Sequence, residues 1–378
     1  MGKTKELSVK KRNPSFELLR VLAMFMILIL HYNTAAGALL QLGLPATGVN
    51  IFANVTESFA ISGINTYVLI SGFFLSKSSV KVSRILKLIC QVYFYTFLVS
   101  LSMMLVGSYS LTANNSVYRL VQYLFPISSE HYWFVTAYVI MYVLAPVMNA
   151  AMEKLTRKQA KIVILGMLLW FCFIKSFVPV LFPTDKFGYD YGWFICLYLI
   201  AAYIRRYDVS LFYSAKKSLF VYLLSSLVIA TMSISLYFIN LNWGGLAHFQ
   251  EVPFNYNFLF TLTASLGLFS FFRYYTMKES RVTDTLRIIG PLTFGVYLLH
   301  MHVEIRDHWV SWISGFIGEV PMYSVPLFAW HALRTILIVF VAGIFVDFLR
   351  KMIFDYIERL LHDTWLFKKI RQLDGELC

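Results

Sequence analysis

FELLRVLAMFMILILHY, residues 16–32, decides the fold: between Arg20 and His31 stand ten consecutive apolar residues. The apolar run extends to about residue 40, and about 20 mostly apolar residues are what a helix needs to cross a bilayer. The basic head before it, Lys3 to Arg12, resembles the leading region of a signal peptide. The run is long, however, and no convincing small-residue cleavage site follows, so it reads as a retained first helix. Nine further windows of the same character lie near 56–76, 85–107, 132–151, 162–182, 191–208, 217–239, 255–275, 288–306 and 327–349. The chain is therefore expected to be an all-α integral membrane protein of about ten transmembrane helices.

Composition agrees with that reading. Of 378 residues 58% are apolar and 14% charged, and the mean hydropathy is +0.65, more apolar surface than a soluble fold can bury. The net charge of +13 does not point to nucleic acid, because the basic residues do not gather on one face of a soluble domain. They fall in every second loop. With the N-terminus inside, all Lys and Arg except Arg119, Lys175, Lys186, Arg306 and Arg334 lie on or near cytoplasmic segments, so both termini are expected in the cytoplasm. External segments, Gln41 to Asn54, Gly107 to His131, Asn240 to Asn257 and Arg306 to Ser324, carry Gly, Asn and aromatic residues suited to sugar contact or interfacial anchoring. After the last span, Lys351 to Ile370 alternates Ile353, Ile357, Leu360, Leu361 and Trp365 with charged residues, as in an amphipathic helix on the inner leaflet. The domain division that follows is 1–350, transmembrane, and 351–378, cytoplasmic tail. Cys90, Cys172 and Cys196 lie in apolar runs and Cys378 at the end, a pattern that offers neither disulfides nor metal ligands. No phosphate loop, GxGxxG or internal repeat is visible.

Ionisable residues inside spans are costly, so each is a functional candidate. Arg20 and His31 are eleven residues apart, which returns to within roughly 20° of one stripe, about 16 Å along the axis. Glu17 stands one turn before Arg20 on nearly the same face. Alone, Arg20 reads as a side chain snorkelling to the inner headgroups and His31 as a packing histidine. Sharing a stripe, they suit a cation that holds an anionic ligand at the inner mouth and an imidazole that takes a proton deeper in.

The Arg-x10-His of this first run resembles the signature of the membrane-bound acyltransferase family 3. Further stretches match in order. INTYVLISGFFLSK, residues 64–77, is similar to the family's run closing on Ser71, Gly72 and Phe73. KVSRILKL, residues 81–88, resembles an Arg-x-x-Arg motif with Lys87 in the second place. HYWFVTAYVIMYVLAP, residues 131–146, carries a Trp-Phe and later Pro, and GPLTFGVYLLHMHV, residues 290–303, a Tyr-Leu-x-His. The resemblance implies an O-acyltransferase of a bacterial cell (plasma or inner) membrane, moving an acyl group, acetyl above all, from cytoplasmic acyl-CoA to a hydroxyl of a surface polysaccharide or its lipid-linked precursor. Acetyl-CoA is then a donor substrate, with no permanently bound cofactor and no metal, and the partners are membrane lipid, acyl-CoA and the carbohydrate.

His31 is the expected base, with Arg20 beside it in the catalytic set. Arg84 and Lys87 are implied as contacts for the donor's phosphates, although as loop cations they also serve topology. Supporting positions are Glu17, Ser71, Trp133, Tyr297, His300 and Arg334. His300 suits a second polar contact or a packing bond; Arg334 suits an acceptor contact or an ion pair with Glu304 or Asp307; His131 and Trp133 suit a sugar platform or an interfacial anchor. A transporter or flippase of lipid-linked sugars is the other function class, and it calls for broken helices at matching places in two halves. The Gly290, Pro291 and Gly295 interruption has no evident counterpart in the first half. No hydrolase-like domain is expected after the last span.

Overall fold

The computed structural model describes residues 11–79, 81–106, 116–129, 131–179 and 186–376, and every regular element among them is helical. The first ten residues, most of the segment from Gly107 and the terminal Cys378 lie outside the described residues. The chain opens with α1 (Pro14–Ala35), α2 (Gly48–Ala60), α3 (Gly63–Leu75), α4 (Val82–Leu105), α5 (Ser116–Leu124) and α6 (Trp133–Lys154). It continues with α7 (Arg157–Leu168), a π-helical turn at Leu169–Phe173, α8 (Ile174–Phe177), α9 (Tyr191–Arg206) and α10 (Ala215–Asn242). The remainder is α11 (Leu259–Tyr274), α12 (Arg281–Ile289), α13 (Thr293–His300), α14 (Trp309–Ile317), α15 (Val325–Leu361) and α16 (Trp365–Glu376).

Among the described residues, eight helical stretches are long and apolar enough to cross a membrane: Pro14–Ala35, Gly48–Leu75, Val82–Leu105, Trp133–Lys154, Arg157–Phe177, Ala215–Asn242, Arg281–His300 and Val325–Leu361. The other two expected spans coincide with α9 and α11, of 16 residues each, about 24 Å long. Both are packed deep in the bundle, with Trp193, Phe194, Leu197, Tyr198 and Ala201 of α9 and Leu262, Ala264, Leu268 and Phe269 of α11 buried.

α1 is the central helix. Asn13 caps it by accepting from the Ser15 amide, and Pro14 occupies the first turn, where a missing N–H costs nothing. Around it pack α2, α3, α11, α12, α13 and α15, so its Arg20 and His31 face protein on nearly every side. The span expected at 56–76 begins earlier, at Gly48, which carries Glu57 well below the surface (5% exposed). A correction follows for helix interruptions. The break at Gly290–Leu292 between α12 and α13 does have a first-half counterpart, at Ile61–Ser62 between α2 and α3. Both are plugged by α1: a Cβ on Gly290 would meet Glu17, and one on Gly63 would meet Met26.

α15 runs unbroken through the domain boundary expected at 350 and ends at Leu361. At 37 residues it is about 55 Å long, well beyond a hydrocarbon core of about 30 Å. The projecting part carries exposed Ile353, Ile357 and Leu360. The tail then folds back on α4, where the Ser83 amide and hydroxyl donate to the Asp374 carboxylate at 3.1 and 2.5 Å. Burial pushes that carboxyl up, but the Ser83 bonds outweigh it and hold it below the usual range.

Candidate functional site

The site is built on the C-terminal third of α1. His31 Nδ1 lies 2.8 Å from His300 Nε2, and His300 Nδ1 lies 2.6 Å from the carbonyl oxygen of Val296, one turn earlier on α13. A carbonyl only accepts, so a neutral His300 carries its proton on Nδ1 and presents a lone pair on Nε2. His31 must then donate through Nδ1, which leaves the lone pair of a neutral His31 on Nε2. The arrangement is that of a base held in one tautomer by a second group. Although α1 is surrounded by protein, His31 retains accessible surface while His300 is 1% exposed. The two rings have centroids 5.0 Å apart, and Tyr297 meets His300 edge-on at 6.1 Å. The Tyr297 hydroxyl is buried, and its approach to the Phe134 backbone falls short of hydrogen-bond geometry.

At the N-terminal end of the same stripe, Arg20 Nη1 reaches Glu17 Oε1 at 2.5 Å, and Arg12 approaches the same oxygen at 3.4 Å. One carboxylate shared by two guanidiniums leaves a net positive charge at this mouth. The Tyr67 hydroxyl joins the Arg20 carbonyl (2.9 Å) to the Thr293 hydroxyl (2.7 Å), tying α1 to α3 and α13. Ser71 bonds back to the Tyr67 carbonyl, one turn earlier on α3. Glu17, Arg20 and Ser71 are thus linked through Tyr67, and Arg84 stands in the first turn of α4. Between its two ends the stripe is closed by Met24 and Ile27, 1% and 3% exposed.

The Ser-Gly-Phe stretch is a packing device. Gly72 allows α3 to approach the α9 backbone at Tyr198, and Phe73 lies under the guanidiniums of Arg205 and Arg273, at 4.6 and 5.7 Å.

Trp133, partly exposed, faces Tyr189 at 4.9 Å and stacks on Tyr256 at 5.9 Å. Its neighbour Phe134 lies 5.5 Å from Tyr297, so a run of rings connects the partly exposed Trp133 to the histidine pair. His131 does not join that platform. It is 2% exposed and packs on His302 at 4.6 Å, and burial, then the nearby Arg306 charge, push it down to about 4.

Two expected residues stand apart from both centres. Lys87 is 60% exposed and pairs with Glu358 of α15 at 2.8 Å. Arg334 lies over Trp330, with its Nε buried and unpaired. Its expected partners are engaged elsewhere: Glu304 accepts from Tyr123 and pairs with Arg119, and Asp307 faces Arg306. A cavity of about 480 Å³ opens among Ser76, Lys77, Asn149, Met152, Ala202 and Arg206, where α3, α6 and α9 end. Helix C-termini disfavour anions, and the cavity touches neither histidine. Among the described residues no three His, Cys, Asp or Glu side chains converge as metal ligands.

Sequence reasoning overlooked two buried acids. Asp347 accepts from Gln91 and Tyr95 and is gripped by both arms of Arg350 at 2.8 Å; its Arg at i+3 was the available signal. Glu57 accepts from Asn33 at 2.9 Å, and it was lost because its span was begun at residue 56. A family model described as an acyltransferase domain matches residues 13–346, which takes in every centre above. No curated protein and no solved structure matches the chain.

Proposed function

The chain belongs to the acyltransferase 3 family, and on that premise we propose that this multi-pass membrane acyltransferase moves an acyl group, most simply acetyl, from cytoplasmic acyl-CoA to a hydroxyl of a cell-surface polysaccharide or its lipid-linked precursor. The observation that carries the reading is the His31–His300–Val296 relay, which leaves Nε2 as the acceptor nitrogen of a His31 side chain that keeps some accessible surface. In the reaction, the acceptor hydroxyl attacks the thioester carbonyl while His31 Nε2 takes its proton. A C–O bond forms, the C–S bond breaks, and the imidazolium returns the proton to the departing thiolate. Arg20 and Arg84 stand toward the end of the bundle from which the donor would enter and supply cations for its phosphates. Lys87 serves this role only on leaving Glu358. The thioester reaches His31 by parting Met24 and Ile27.

The reading includes a topology of ten spans, with α9 and α11 as the two short ones, and both termini in the cytoplasm of a bacterial inner membrane. The basic loops support it. The exposed apolar residues of the projecting end of α15 suit the inner leaflet. The flippase alternative draws on the paired helix breaks, but Glu17 and Met26 of α1 fill both where a transported group would bind. Mass spectrometry of surface glycans from cells with and without the gene tests the function. Loss of one acyl-sized increment is expected; loss of the whole polymer would favour the flippase.

A further inference from the structure

Arg334 is a charge within a spanning helix that the fold leaves without a counter-ion. It lies about 14 Å from the start of α15 at Val325, and no acid among the described residues pairs with it. Glu304 serves Arg119, Asp307 faces Arg306, and Asp347 is held by Arg350. The Arg334 Nε is buried with no acceptor, although the side chain as a whole keeps some accessible surface. Trp330, Leu333, Leu337, Ile338 and Val341 around it are exposed. The guanidinium therefore rises from the apolar face of the helix, where an uncompensated charge is expensive.

Two contacts between α1 and α15 fix its depth. The Tyr32 hydroxyl meets His331 Nδ1 at 2.8 Å, and Phe25 stacks on Phe340 at 4.3 Å. The two helices thus run antiparallel side by side, and Arg334 stands within about one helical turn of the level of His31. His331 has nothing to offer Arg334. Its Nε2 proton goes to the Gly318 carbonyl at 2.9 Å, so its Nδ1 accepts from Tyr32. Trp330, one turn nearer the helix start, carries the guanidinium over its ring at 5.6 Å. Stacking uses the flat face of the guanidinium and leaves N–H edges for an anion.

We propose that Arg334 and Trp330 form the seat for the phosphate at the head of a lipid-linked acceptor, holding it so that the attached sugar is presented at the level of His31. The inference rests on the acyltransfer reading and adds to it what anchors the acceptor. Charge and place give the ligand class. A guanidinium edge takes two phosphate oxygens at once, and the anion that a bilayer brings to a lipid-facing helix is a lipid phosphate. Depth separates the acceptor from bulk phospholipid, whose headgroups lie beyond the hydrocarbon core and so nearer the helix start. A phosphate drawn down to Arg334 is level with the base. Arg334 binds and positions, and it takes no part in the proton transfer.

The test uses the purified full chain in detergent and native mass spectrometry of its lipid adducts. The probe is a polyprenyl monophosphate, compared with polyprenol, which lacks the phosphate, and with phosphatidylglycerol. The wild type should bind the phosphate probe in preference to both. Arg334→Gln should weaken that binding roughly 10- to 150-fold, as loss of a charge-assisted bond does, and leave polyprenol binding unchanged. Arg334→Lys keeps the charge without the planar fork and should fall between. Trp330→Ala, at an exposed position, should also weaken the probe, and with Arg334→Lys it carries the test if Arg334→Gln does not insert. Wild-type affinity for the probe in these variants overturns the proposal. So does phosphatidylglycerol binding as tightly and with the same dependence on Arg334, which would make the seat a contact for bulk lipid. If the probe binds through Arg334 and the wild-type chain acylates no glycan in cells, the acyltransfer reading fails while the phosphate seat stands.

Discussion

Replacing His300 tests the relay that fixes the tautomer of His31. In His300→Ala the 2.8 Å bond is lost, and His31 becomes free to carry its proton on either nitrogen and to rotate. Two contributions disappear. A neutral hydrogen bond is worth about 1 kcal/mol in holding the productive tautomer. When His31 takes a proton it becomes a charged donor to His300 Nε2, and the gain from a neutral to a charged bond adds about 1 to 2 kcal/mol in the transition state. Together, about 2 to 3 kcal/mol corresponds to a loss of roughly 30- to 150-fold in turnover. His300→Gln offers an amide oxygen to the same N–H and should recover part of it. The assay is glycan acylation per unit of membrane-inserted protein. Wild-type acylation by His300→Ala at normal protein level would refute the relay. A loss as deep as that of His31→Ala, with the protein still folded, would make His300 the base instead.

Gly295→Ala should lower the amount and thermal stability of inserted protein by about 1 to 3 kcal/mol or more, because its Cβ would fall 2.3 Å from Asp347, a side chain anchored by Arg350, Gln91 and Tyr95; an unchanged melting profile would contradict this packing. Arg84→Ala and Lys87→Ala should each weaken acyl-CoA binding to purified protein about two- to fivefold, as exposed charge pairs do, with greater salt sensitivity in what remains. If the double variant binds donor as the wild type does, these cations serve topology alone. Reporter fusions after Leu155, Arg206 and Met277 should read cytoplasmic and one after Gly245 external, and reversal of two would overturn the orientation.

The helical class and the membrane setting were legible because twenty-residue apolar windows separated by basic loops leave no other fold. The Arg20 and His31 stripe was legible because one continuous helix fixes its own geometry. What joins different helices was not. That His31 meets His300 across 269 positions of sequence, that Glu358 takes Lys87, and that Glu304 serves Arg119 and Tyr123 rather than Arg334 all depend on how helices pack, which periodicity within each does not encode. Glu57 was missed for a local reason. Gly48 starts its span eight residues before the hydropathy window does, so a carboxyl read at the lip lies inside. His131 erred in the other direction, since an aromatic-rich external loop cannot show that one of its rings turns inward onto His302.

The central claim is that His31 is the base of an acyl transfer. The most direct measurement is glycan acylation in cells producing His31→Ala, normalised to inserted protein. Exchange of one intramembrane polar side chain should cost only on the order of 1 kcal/mol in helix association, so the protein should remain in the membrane. Acylation should fall by roughly two to four orders of magnitude. Near wild-type acylation at a normal protein level would contradict the mechanism.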